Sequence, residues 1–214
     1  MRLILARHGN TFGPGETPVW VGAREDLALT QQGRIQSLQF GLALKEAGIV
    51  PARIIAGPLQ RTASGAELAA AECGFTGKIE IDTRLREIDY GRWGGRSDAQ
   101  IAAEWSEQAI EDWRERSIVP AGVGWSPAPG TIAQNARDVL TDITGAARAD
   151  DTVLLVSSNG ILRYFHPLLG ESPERPGDAK MRTGHWSIAI ADVSGWQLHT
   201  WNAPPNPDQL GGLR

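Results

Sequence analysis

The sequence predicts one three-layer α/β/α sandwich built on a mostly parallel central sheet. Short apolar runs of β type alternate with helix-type periodic segments, the pattern of strand–helix–strand units. The length of 214 residues is enough for one domain to bury a sizeable core, and no repeat, heptad or low-complexity tract divides it.

In order, Arg2 to Ala6 reads as a buried strand that meets Arg7 and His8 at once. Asp26-Leu27-Ala28-Leu29-Thr30 leads into a helix reaching Ala47, with Thr30 as N-cap and Gly48 as stop. A strand at Arg53 to Ala56 precedes a helix from Arg61 to Cys73, closed by Gly74, and Lys78 to Ile81 reads as another strand. Ser97 to Trp113 reads as one helix, Pro120 to Gly130 as an irregular loop, and Thr131 to Ala149 as a helix. The strand Thr152 to Ser157 turns through Ser158-Asn159-Gly160 into a helix from Ile161 to about Leu169. Ser187 to Val193 is the last predicted strand, and the proline-rich Ala203 to Pro207 is expected to lie over the surface. Residues 1–214 are read as a single domain, with 91–130 as a lid or substrate-side insertion.

Composition narrows the function. With 21 Lys and Arg against 25 Asp and Glu, the formal charge of −4 offers no general attraction to nucleic acid or to an anionic membrane. An anionic substrate therefore needs a local cluster of positive groups. Cys73 is the only cysteine, which excludes an internal disulfide and suits a reducing compartment. The N-terminal apolar run is too brief for a signal peptide or a membrane span, so cytoplasmic residence is expected. The four histidines (His8, His166, His185 and His199) show no ligand-pair spacing, so neither a metal nor another cofactor is expected. Of the eight tryptophans, Trp93, Trp105, Trp113 and Trp125 fall in one central stretch, where packing is the favoured reading.

Three predicted strands end at chemically distinctive residues, and in open α/β sheets ligands gather beyond the C-terminal strand ends. The first is Arg7-His8-Gly9-Asn10-Thr11, where Gly9 permits a sharp turn. The second is Gly57-Pro58-Leu59-Gln60-Arg61-Thr62, which puts an arginine at a helix start. Two guanidiniums and a helix N-terminus suit a phosphate. The third is Ser157-Ser158-Asn159-Gly160. A carboxylate block, Leu85-Arg86-Glu87-Ile88-Asp89-Tyr90-Gly91-Arg92-Trp93, lies between the second and the third.

In this order the blocks resemble the histidine phosphatase (phosphoglycerate mutase-like) superfamily from Arg2 to about Ile190. Gly22, Asp26, Leu29, Thr30 and Gly33 match the segment that follows the Arg-His-Gly-x-Thr motif in that family. The resemblance implies a phosphoglycerate mutase-like fold and a phosphomonoester hydrolase acting on a small phosphorylated metabolite. It implies that His8 is the nucleophile, that Glu87 protonates the leaving group, and that Arg7 and Arg61 hold the phosphoryl oxygens, with Asn10, Thr11 and Asn159 as further phosphate contacts. An oligomer is left open.

The family's fourth block reads Val-Ser-His-Gly-Gly-x-x-Arg, and here it is Val156-Ser157-Ser158-Asn159-Gly160-Ile161-Leu162-Arg163. Ser158 stands in place of the second catalytic histidine. One lost donor of this kind costs roughly 10²- to 10³-fold in rate. The departure leaves open a slow or specialised phosphatase, a phospholigand binder without turnover, or a rebuilt site in which His185 is a candidate substitute donor. Phe12, Trp20, Trp93 and Trp125 are candidate substrate contacts, with packing favoured for most. A mutase-type phosphotransferase also fits the family. A weaker rival is a serine esterase, in which Ser158-x-Gly160 forms half of a nucleophile elbow and Asp192 and His199 follow in chain order.

Overall fold

In the first strand, β1 (Arg2–Arg7), alternate side chains go to opposite apolar clusters: Leu3 and Leu5 to one, Ile4 and Ala6 to the other. Burial on both faces with a period of two is what a central strand of a covered sheet requires. The structure, a computed structural model, describes residues 1–170 and 179–211. In it β4 (Thr152–Ser157) runs parallel to β1, with Arg7 opposite Ser157. Next come β2 (Arg53–Ala56) and the short β3 (Glu80–Ile81), both parallel to their neighbours. On the other side of β1, β5 (Trp186–Asp192) and β6 (Gly195–Ala203) add an antiparallel hairpin. The sheet order is β3-β2-β4-β1-β5-β6.

Helices α1 (Gln31–Glu46) and α2 (Gln60–Cys73) cover one face through Phe40, Leu44, Ala66, Ala69 and Ala70. They approach closely because Gly41 lies against the Ala69 carbonyl, where a methyl would come within 2.5 Å. The opposite face is packed by α3 (Asp98–Glu104), α4 (Glu107–Arg116), α5 (Pro129–Ala146) and the single turn α6 (Asn159–Leu162). The three layers and the mostly parallel sheet are those the sequence predicts. Thr30 caps α1, accepting from Gly33 N–H at 3.1 Å, and Gly48 and Gly74 take the left-handed conformation beyond α1 and α2. Among the described residues no helix is long and apolar enough to cross a membrane.

Several boundaries differ from the sequence reading, each for a local reason. The helix expected over Ser97 to Trp113 is two helices, because Ser106 starts a new one by accepting from Ala109 N–H at 3.1 Å. The helix expected from Thr131 to Ala149 starts at Pro129, whose fixed φ suits the first turn, and ends at Ala146. The helix expected over Ile161 to Leu169 is the turn α6 followed by a separate 3₁₀ turn at His166–Leu168, with Pro167 in its first turn. Only Glu80 and Ile81 of the third predicted strand pair. Strand β6 escaped prediction because two register shifts against β5 break the period of two, leaving its buried Leu198 and Trp201 three residues apart.

Candidate active site

The C-terminal ends of β1, β4 and β2 lie side by side. Their pairing continues one step beyond the strands: His8 N–H donates to the Ser157 carbonyl at 3.1 Å and Gly57 N–H to that of Val156 at 3.0 Å. After His8 the chain passes so close to α1 that a methyl on Gly9 would sit 2.2 Å from the Gly33 carbonyl oxygen. That crossing is open only to glycine at both positions, and it turns His8 into a cleft of about 770 Å³. Arg7, His8, Arg61, Glu87, Tyr90 and Asn159 share this cleft.

The His8 imidazole is 6% exposed, and its Nδ1 lies 2.8 Å from the Gly9 carbonyl oxygen. A carbonyl can only accept, so Nδ1 carries the proton and Nε2 keeps its lone pair. Burial, reinforced by the charges of Arg7 and Arg61, pushes the ring well below its ordinary pKa of 6.5. The imidazole is therefore neutral near pH 7. Arg7 donates to the Met181 carbonyl at 2.6 Å, and burial lowers its pKa to about 10, which leaves it cationic. Arg61 is held by the Gly22 and Glu25 carbonyls at 2.8 and 3.1 Å. Glu87 accepts from Ile88 N–H at 2.8 Å and from Gly160 N–H at 3.2 Å, which brings the carboxylate block and the block after β4 into contact.

The other predicted residues are placed unevenly. Asn10 lines the cleft, and its side-chain oxygen accepts from Thr183 at 2.6 Å. Thr11 also lines the cleft, and Asn159 uses its Oδ1 to accept from Met181 N–H at 2.8 Å. Ser158 is 1% exposed, its Oγ has no hydrogen-bond partner, and it is not among the residues that line the cleft. His185 is half-buried, with Nδ1 3.2 Å from the Thr183 carbonyl, and it does not line the cleft. Its backbone carbonyl, by contrast, accepts from Arg7 N–H at 3.0 Å. The N-terminus of α2 is already occupied, because Gln60 N–H donates to the Asp26 carboxylate at 2.6 Å. Arg61 reaches the cleft by its side chain instead.

The esterase constellation does not assemble. Asp192 ends β5 beside the start of β1, at the opposite end of the sheet from Ser158, and hydrogen-bonds to Ser194, while His199 is exposed on β6. Among the described residues no three His, Cys, Asp or Glu side chains gather as a metal cage.

Of the aromatic candidates, Phe12 and Trp20 line the cleft, whereas Trp93 and Trp125 pack behind it. Asp98, Arg114 and Lys180, which carry no sequence signal, complete the outer wall with Trp20. Trp20 Nε1 donates to Asp98 at 2.8 Å, Arg114 pairs with Asp98 at 2.7 Å, and Lys180 stands nearby, 3.6 Å from Glu115.

A neutral imidazole flanked by two arginines and a carboxylate at the strand ends of such a sheet is chemically suited to receive a phosphoryl group. The chain belongs to the histidine phosphatase superfamily (branch 1), whose sequence profile matches residues 3–204. Among its relatives is the glucosyl-3-phosphoglycerate phosphatase of Mycobacterium tuberculosis, 28% identical over 94% of each chain. A solved structure of a mycobacterial glucosyl-3-phosphoglycerate phosphatase superposes with a TM-score of 0.76 at 26% identity, covering 95% of this chain and 99% of that one. A 2,3-bisphosphoglycerate-dependent phosphoglycerate mutase of Arthrobacter sp. is 31% identical over 56% of this chain and 48% of its own length.

Proposed function

We propose that the protein hydrolyses the phosphomonoester of a small metabolite through a phosphohistidine at His8. The observation that carries this is the His8 ring itself: Nδ1 faces the Gly9 carbonyl, and burial beside two arginines keeps the ring neutral, so Nε2 is a nucleophile at neutral pH. Its lone pair attacks phosphorus, the phosphorus–ester oxygen bond breaks, and that bond's electrons go to the departing oxygen, which takes a proton that Glu87 has received from the phosphomonoester monoanion on binding. Water then attacks the phosphohistidine. Glu87 takes the water proton, the N–P electron pair returns to Nε2, and alcohol and inorganic phosphate leave. Arg7 and Arg61 offset the phosphoryl charge throughout. The segment 91–130 supplies the leaving-group wall through Asp98, Trp113 and Arg114. Because the mycobacterial relative matches along nearly its full length, glucosyl-3-phosphoglycerate is the first substrate to try.

A second reading, a phospholigand binder without turnover, is favoured by Ser158, whose hydroxyl stands unpartnered where the family has an imidazole. Rapid-quench assays with an aryl phosphate and with glucosyl-3-phosphoglycerate separate the two. Hydrolysis reads as a burst of alcohol and acid-labile phosphate on the protein, both lost in His8→Ala. Turnover persisting in His8→Ala would overturn the phosphohistidine, and tight phosphate binding without any turnover would establish the binder.

A further inference from the structure

Beyond that scheme, the cleft holds a titratable group to which it gives no role. Tyr90 lies among the charged residues of the phosphate cradle, yet among the described residues its Oη has no hydrogen-bond partner. A methyl built on Gly160 would come within 2.2 Å of Glu87 Oε1 and 2.7 Å of Tyr90 Oη, so phenol and carboxylate crowd the same side of that glycine. The ring is fixed by edge contacts to Trp20 at 5.0 Å, Trp125 at 4.9 Å and Trp113 at 6.5 Å between centroids. The hydroxyl is thus a donor with a set position at the cleft wall.

We propose that Tyr90 is a catalytic residue whose phenol O–H donates a hydrogen bond to the transferring phosphoryl group, supplying the donor that Ser158 does not. The inference rests on the phospho-His8 reading. It concerns a hydrogen bond alone: the phenol keeps its proton before, during and after transfer.

Three observations support it. The two other candidates for the missing donor are badly placed, since neither Ser158 nor His185 is among the residues that line the cleft. The arginines have spent part of their capacity on backbone, Arg7 on Met181 and Arg61 on Gly22 and Glu25. Burial first, and the Glu87 charge second, push the phenol well above its ordinary pKa of 10, so it remains a donor across the working pH range. A donor held by packing before the reaction starts has no reorganisation to undergo in the transition state.

The test is Tyr90→Phe, which keeps the ring among its tryptophans and removes only the hydroxyl, measured in the wild-type and Ser158→His backgrounds. In the wild-type background kcat should fall by roughly 10²- to 10³-fold, with KM changed little. With a histidine restored at 158, the same substitution should cost less than about tenfold, because two donors then serve one group. Affinity for vanadate, a mimic of the transition state, should drop more than affinity for inorganic phosphate, a readout that does not depend on turnover. An unchanged kcat, an equal loss in both backgrounds, or equal weakening of vanadate and phosphate would each overturn the assignment. His8→Ala run alongside isolates the base reading: an inactive His8→Ala beside a fully active Tyr90→Phe removes Tyr90 alone, whereas an active His8→Ala removes both.

Discussion

Replacing Gly160 by alanine places one methyl at the most crowded point of the cleft wall. It would lie 2.2 Å from Glu87 Oε1, 2.7 Å from Tyr90 Oη and 3.0 Å from Glu87 Cδ. Gly160 does not have a positive φ and sits inside a helical turn, so alanine brings no backbone strain and even gains up to about 1 kcal/mol of helix propensity. The damage therefore comes from contact alone. Glu87 must retreat, which breaks the 3.2 Å bond it accepts from Gly160 N–H. A buried amide left unpaired costs about 1–3 kcal/mol and forced packing about 1–3 kcal/mol. The expected net loss, about 1–6 kcal/mol, is a sizeable part of the ~5–15 kcal/mol typical of a domain. Activity should fall more than about 100-fold, since the group proposed to protonate the leaving oxygen is displaced. Urea unfolding followed by tryptophan fluorescence gives the stability, steady-state assay gives kcat, and Glu87→Ala made together with Gly160→Ala should recover part of the lost stability. A single variant within about 0.5 kcal/mol and twofold of wild type would refute the packing reasoning.

Acidification should act through His8 in two ways. Its folded-state pKa lies below 6.5, so from about pH 6.5 downward the unfolded chain takes up a proton that the folded chain refuses. Stability contributed by His8 is thus fully present above pH 6.5 and is lost as pH falls through the folded pKa; denaturant titrations should show a shallower acid slope in His8→Ala. The acid limb of kcat/KM should accordingly lie below pH 6.5, and a limb above it would contradict the burial argument. Thr30→Ala removes the cap on α1 and a 3.1 Å bond to the Asn10 carbonyl, and should lower stability by about 1 kcal/mol in thermal or denaturant unfolding. Arg163→Met removes a buried guanidinium that donates to the Trp113 carbonyl and to Ser117 and lies 4.0 Å from the Trp113 ring centroid; about 2–4 kcal/mol should be lost in the same assay.

Much of the fold could be read from local pattern because local physics determines it. Apolar runs buried on both faces mark β1, β2 and β4, and Thr30, Gly48 and Gly74 bound their helices by caps that need no tertiary partner. Strand β6 could not be read in this way, since its bulges are set by pairing with β5. The convergence of Arg7, His8 and Arg61 was legible because each sits at or just after a strand end, where the sheet gathers them, whereas Glu87, separated from β3 by a further turn, was marked only by the family resemblance. The outer wall was not: Asp98 and Arg114 look like ordinary surface charges until the folded chain brings Trp20 across to them. Nor could the sequence show that Asp26, 34 residues earlier, would occupy the N-terminus of α2.

The strand order also bears on synthesis. β4 lies between β1 and β2, so during translation these two emerge long before the strand that separates them, and both keep open edges until residues 152–157 are made. Ribosome-bound chains shorter than this lack the floor joining His8 to Ser157. The other edge of β1 stays open until β5 is made later still, and Met181 and Thr183, which hold Arg7 and Asn10, also follow β4, so completion of the cleft reports the insertion of the whole late segment rather than of one strand.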